Sequence, residues 1–201
     1  LFYWAAAIVL VASFLLLGAL WRSAILERHR VGVPIVSTRS LQVGARLLQL
    51  VSVALLALVW GAALFGDTDP YSNLAPTWVY IAFWLGLPLL SVVFGDVWRV
   101  LSPWRAIADA GVWVIERSGR EARPLSVYPA SLGRWPAAVV LASFTALELA
   151  YSDPSNPRAL AFAIALYTYV ALFGMIAFGR DCWTERGEGF AVAFSYFALL
   201  S

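Results

Sequence analysis

The sequence predicts an all-α protein, a polytopic bundle of membrane-spanning helices with about five complete spans and the start of a sixth. Three observations carry that prediction. First, 62% of the residues are hydrophobic and only 13% are charged, whereas a soluble domain is about half apolar and about a quarter charged. Second, the apolar residues fall in continuous runs close to the roughly 20 residues a helix needs to cross a bilayer. A transmembrane barrel would instead show alternating segments of about ten residues. Third, the arginines alternate between successive connections.

The first span is Phe2 to Leu20, flanked by Trp4 and Trp21. It is too long and continuous for a signal-peptide core, and no positive segment precedes it. The second is Leu47 to Phe65, with Gln49 and Ser52 as its strongly polar side chains. Gln49 fits a hydrogen bond between helices. The third, Trp78 to Phe94, contains Pro88, which predicts a kink because a mid-helix proline removes a backbone hydrogen bond. The fourth is Trp135 to Tyr151, the fifth Leu160 to Phe178, and an incomplete sixth runs from Phe190 to Ser201. Trp and Tyr gather at the ends of these runs, where amphipathic rings favour the headgroup zone. Residue 1 is Leu and the far end stops within an apolar run, so the chain reads as a piece of a longer protein.

The connections hold 5, 0, 6, 1 and 2 arginines in order, and the chain has no lysine. Positive residues stay in the cytoplasm, which places connections 22–46, 96–134 and 180–189 inside and the N-terminus of the chain outside. The two outer connections, DTDPYSNLAPT (67–77) and SDPSNPR (152–158), are rich in turn formers. In the long inner connection, 96–117 mixes Trp98, Trp104 and Trp113 with Arg99, Arg105 and Arg117. That pattern predicts an amphipathic interfacial segment with its rings in lipid, divided by Pro103 into two short helices. Residues 118–134 read as a solvated loop.

The candidate functional residues are few. Asp96 and Arg99 stand at pairing distance on a helix, and with Arg105 they fit either a polar site at the inner mouth of the bundle or an anchor at the headgroups. Arg99 and Arg105 are placed to touch anionic lipid. Glu148 is the one carboxylate inside a predicted span, and polar groups at membrane depth are costly and often functional. It also lies near enough to the outer interface to reach water. Asp181, Glu185 and Glu188, with Arg180 and Arg186, read as a solvated helix end. His29 is the sole histidine and Cys182 the sole cysteine, which predicts no metal site and no cofactor. Gly174 and Gly179 are not at GxxxG spacing and carry little packing signal. A net charge of +2 without a basic run argues against nucleic acid. The predicted partner is the lipid bilayer.

Three stretches carry a resemblance: LFYWAAAIVLVASF at the start, NLAPTWVYIAFWLGLPLLSVVFGDVWRVLSPWRA in the middle, and FGRDCWTERGEGFAVAFSYFALLS at the end. Together they resemble a bacterial, largely actinobacterial, family of polytopic membrane proteins labelled fenitrothion hydrolase. Family members carry Asn where Ser102 stands in the SPWR motif. The resemblance implies a location in the bacterial plasma membrane and, by its label, hydrolysis of an organophosphate triester. It supplies no catalytic motif to carry over. A transporter or permease bundle, and a structural subunit of a membrane complex, are the competing functions.

Overall fold

The computed structural model describes residues 38–201, with side chains from Val43 onward. The predicted span 2–20, most of the first inner connection and His29 lie outside the described residues. Every regular element among the described residues is helical. Four helices are long and apolar enough to cross a membrane: Val43–Phe65, Leu74–Phe94, Ala130–Leu149 and Pro157–Phe178. Their outward faces carry large apolar side chains, among them Leu50, Phe65, Leu89, Phe94 and Phe162. Apolar surface on this scale has no stable partner in water, so the protein is membrane-embedded.

Helix α1, Thr38–Phe65, starts nine residues before the predicted span. Its far end is closed by two side chains. Asn73 donates to the Ala62 carbonyl at 2.8 Å, and Arg158 donates to the Ala63 carbonyl at 2.7 Å. A cation on the last carbonyls satisfies orphan acceptors and complements the helix dipole. This contact explains the one arginine in the fourth connection. Gln49 makes no side-chain hydrogen bond among the described residues; Ser52 donates to its backbone carbonyl instead.

Helix α2, Leu74–Phe94, is continuous but not uniform. Asn73 caps its start by accepting from the Ala75 N–H. The stretch Trp78–Gly86 is wound as a π-helix, and α-helix resumes over Leu87–Phe94. Pro88 therefore stands in the first turn of an α-segment, where a missing N–H is tolerated. The winding changes just ahead of the proline at which the sequence predicts a kink.

The inner connection departs most from expectation. Helices α3 (Trp98–Leu101) and α4 (Pro103–Arg117) are the two short helices predicted around Pro103. Both pack on α1 rather than lying free in the interface. Trp98 and Trp104 are each 4% exposed and belong to the core, and of the three predicted lipid-facing rings only Trp113 is exposed. The indole N–H of Trp104 donates to Thr168 Oγ1 at 2.9 Å, which ties α4 to α6. The predicted solvated loop, 118–134, is exposed as expected apart from half-buried Ala122 and buried Tyr128, and it is pinned to the bundle near its middle. The Ser126 N–H donates to the Ala177 carbonyl at 2.8 Å, and Tyr128 is buried.

Helix α5 is Trp135–Leu149 and α6 is Pro157–Phe178, capped by Asn156. Short α7, Arg180–Arg186, and α8, Gly189–Phe197, follow, and a 3-10 turn spans Ala198–Leu200. Helix α8 lies against α5, α2 and α3. The core has two parts. One is small and aliphatic, built on Val59, Ala63, Ala75, Val79, Leu160 and Ala161. The other is aromatic, built on Trp98, Trp104, Trp183, Phe190 and Phe194 with Met175. Gly174 is needed here. A Cβ at Gly174 or at Gly187 would sit inside the Trp183 indole, so the ring fits only because both residues lack side chains. The sequence reading of Gly174 as a weak packing signal is corrected on that ground.

Candidate functional site

The site begins with a short sequence, Gly187-Glu188-Gly189. Gly187 is pressed against Trp183, and a Cβ on Gly189 would meet Val140 Cγ1 of α5 at 2.6 Å. Two glycines let the chain pass between an indole and a neighbouring helix. The residue between them is driven inward: Glu188 is 1% exposed. The expectation that Glu188 belongs to a solvated helix end is therefore wrong, and the cause is close backbone approach on both sides.

Glu188 is the N-cap of α8. Its Oε2 accepts from the Ala191 N–H at 2.6 Å and from the Trp98 indole N–H at 3.2 Å. Its Oε1 is buried with no partner among the described residues. Burial pushes this carboxyl up to about 7 against the pull of the Trp98 and Ala191 N–H donors, and the nearby Asp96 charge raises it further. A carboxyl so placed exchanges its proton near neutral pH, the condition under which a group serves proton transfer. Trp98 is itself held edge-on by Phe83, at 5.3 Å between ring centres, and by Phe194, at 5.5 Å.

Two cavities are lined by hydrogen-bond partners of this carboxyl, although Glu188 itself lines neither. The larger, about 410 Å³, is a half-open cavity lined mainly by α1, α2, α5 and α6, with α3, α4 and α8 at one end. Leu55, Val59, Ala82, Phe144 and Ile164 line its sides, with Trp98, Trp104, Tyr167 and Phe190 toward Glu188. The Tyr167 hydroxyl, against Trp104 and Phe190, has no partner among the described residues. The smaller, about 170 Å³, is polar and is lined by Asp96, Arg99, Arg105, Arg134 and Glu185, with the Thr184 and Ser195 side chains between them. Trp98 faces the apolar cavity and Ala191 the polar cleft. Glu188 is hydrogen-bonded to both residues, one lining each space.

Three of the four sequence candidates meet in the polar cleft. Asp96, Arg99 and Arg105 line it together. The predicted Asp96–Arg99 ion pair is replaced by a backbone contact, with the Arg99 N–H donating to Asp96 Oδ1 at 3.2 Å. Arg105 is bound at 2.7 Å to Asp181, and its side chain is only 13% exposed. Asp181 is held below the usual carboxylate range by Arg180 first and by Arg105 as well. Arg180 also pairs with Asp109, so one guanidinium joins α4 to α7. Glu148 is not part of this site. It is half-buried in the last turn of α5 and forms no side-chain hydrogen bond or ion pair among the described residues. The cleft-lining Arg134 lies at the opposite end of that helix, about 20 Å away at 1.5 Å per residue.

Among the described residues no group of three metal-ligating side chains occurs. Cys182 is free and half-buried. No protein-family model matches the chain, and neither does any curated protein or solved structure.

Proposed function

We propose that this chain is part of a carrier- or permease-type membrane bundle that binds an uncharged apolar molecule between its helices and exchanges one proton at Glu188. The observation that carries the reading is the double role of Trp98. Its ring lines the apolar cavity, and its N–H holds the buried carboxylate. A ligand that shifts this indole alters the hydrogen bond, and with it the proton affinity of Glu188. Linkage then requires the converse, that protonation alters ligand affinity by the same factor. The bundle sits in the bacterial plasma membrane, with connections 96–134 and 180–189 inside, as the arginine distribution favours.

The test uses the full-length protein in lipid nanodiscs and the uncharged probe N-phenyl-1-naphthylamine, titrated between pH 5 and 8. Saturable binding should weaken in the cavity-filling variant Ala82→Trp. Its pH dependence should centre near 7 and disappear in Glu188→Gln. Binding that ignores both substitutions would sink the proposal.

The family resemblance favours a second reading, and the chemistry of the cavity suits it. An uncharged aryl phosphotriester is itself an apolar, aromatic ligand. Such hydrolysis uses a metal-activated water or an activated nucleophile. Release of p-nitrophenolate from diethyl p-nitrophenyl phosphate, with and without added divalent metal, measures it directly. Absence of turnover in both states removes this reading.

A further inference from the structure

The polar cleft contains charges that do not neutralise one another. Arg99 and Arg134 form no ion pair among the described residues, and neither do Asp96 and Glu185. Yet all four line one space of about 170 Å³. All four are exposed, so water solvates them and little drives them to pair with one another. Here Asp96 and Arg134 are held by other partners, while the Arg99 and Glu185 side chains make no hydrogen bond or ion pair among the described residues. Asp96 is fixed by its contact with the Arg99 backbone. Arg134 is fixed by donating to the Tyr196 hydroxyl and lying over its ring at 5.5 Å. Arg105, the third cation, is already bound to Asp181.

The cleft also sits where headgroups would be. Arg134 immediately precedes the exposed Trp135 at the start of α5, and Asp96 follows the exposed Phe94 at the end of α2. Both are ends of helices apolar enough to cross a membrane, and aromatic residues at such ends mark the interface.

We infer that this cleft binds a phosphoethanolamine group, its phosphate on Arg99 and Arg134 and its ammonium on Asp96 and Glu185. Guanidinium groups recognise phosphate through paired N–H donors. A primary ammonium offers three donors, which two carboxylates can accept. A purely anionic group would leave the carboxylates unanswered, and a trimethylated amine would offer them no N–H. The inference is independent of the apolar cavity and of Glu188.

The experiment is native mass spectrometry of the full-length protein released from mixed vesicles of phosphatidylethanolamine, phosphatidylglycerol and phosphatidylcholine. Retention of phosphatidylethanolamine should exceed that of both other lipids. Because all four charged residues are exposed, the charge-removing variants Arg99→Gln, Arg134→Gln, Asp96→Asn and Glu185→Gln should fold as the parent does. Each carboxylate variant should lower that preference about three- to fivefold, the size expected of one exposed charge contact, whereas each arginine variant should lower retention of all three lipids by a similar factor. The carboxylate variants should spare phosphatidylglycerol retention. Soluble glycerophosphoethanolamine separates the possible sources. Competition by it assigns the site to the free headgroup compound, and retention without competition assigns it to the lipid. Equal retention of the three lipids, or a phosphatidylethanolamine preference that survives both carboxylate variants, overturns the inference.

Discussion

Replacing Glu188 by Gln should abolish most of the pH dependence of stability between pH 4.5 and 8. The carboxyl is fully buried, and its value rises from the ordinary 4.5 to about 7. Folding therefore favours the protonated acid. Its contribution is fully present below pH 4.5 and is lost progressively as pH rises through 7. That rise, from 4.5 to about 7, corresponds to about 3 kcal/mol. In a chain of this size that amounts to roughly 6–12 °C in unfolding midpoint. Gln keeps an acceptor for the Ala191 and Trp98 N–H groups and carries no proton to lose. The assay is thermal unfolding of the full-length protein in nanodiscs, followed by tryptophan fluorescence at half-unit pH steps. Wild-type midpoints should fall from pH 5 to pH 8 while those of the variant stay nearly level, the two curves diverging as pH rises. Parallel curves would falsify the claim that Glu188 is buried and titrates near neutral pH.

Trp98→Phe keeps the aromatic packing but removes a donor that favours the charged carboxylate, so the pH transition of Glu188 should move upward. Above pH 7 the variant should lose about 1.5–3 kcal/mol, the range for a hydrogen bond to a charged group. Gly174→Ala drives a methyl into the Trp183 indole and should destabilise by about 1–3 kcal/mol in the same melt. Gly111→Ala, in α4 with open space around it, should be neutral or stabilising by up to about 1 kcal/mol. Arg180→Gln breaks the links to Asp109 and Asp181 at a partly exposed site, and a loss no larger than about 1 kcal/mol is expected. For topology, a cysteine in place of Ser72 should react with an impermeant maleimide in intact cells, and one in place of Ser118 should not. The reverse pattern would invert the orientation.

The four long helices among the described residues are legible because hydrocarbon leaves a backbone few options. Continuous apolar runs must satisfy their own N–H and C=O groups, and the α-helix does so locally. The same composition hides the site. Trp98 and Trp104 share their stretch with Arg99 and Arg105, and a tryptophan beside an arginine reads as an interfacial anchor. What buries them is tertiary. The Ser102–Pro103 break turns α3 and α4 onto α1, and no local pattern encodes that docking. Glu148 draws notice because it lies inside an apolar run, yet it forms no polar side-chain contact among the described residues. Glu188 escapes notice because four charged residues precede it in the same connection. Its one local signal is the pair of glycines around it, read against the apolar stretch Phe190–Phe194. A glycine on each side of a carboxylate permits the backbone approach that excludes water. In a protein whose lipid-facing surface is apolar, a charge in a run of charges can be the buried one, and the small residues beside it distinguish it from the solvated ones.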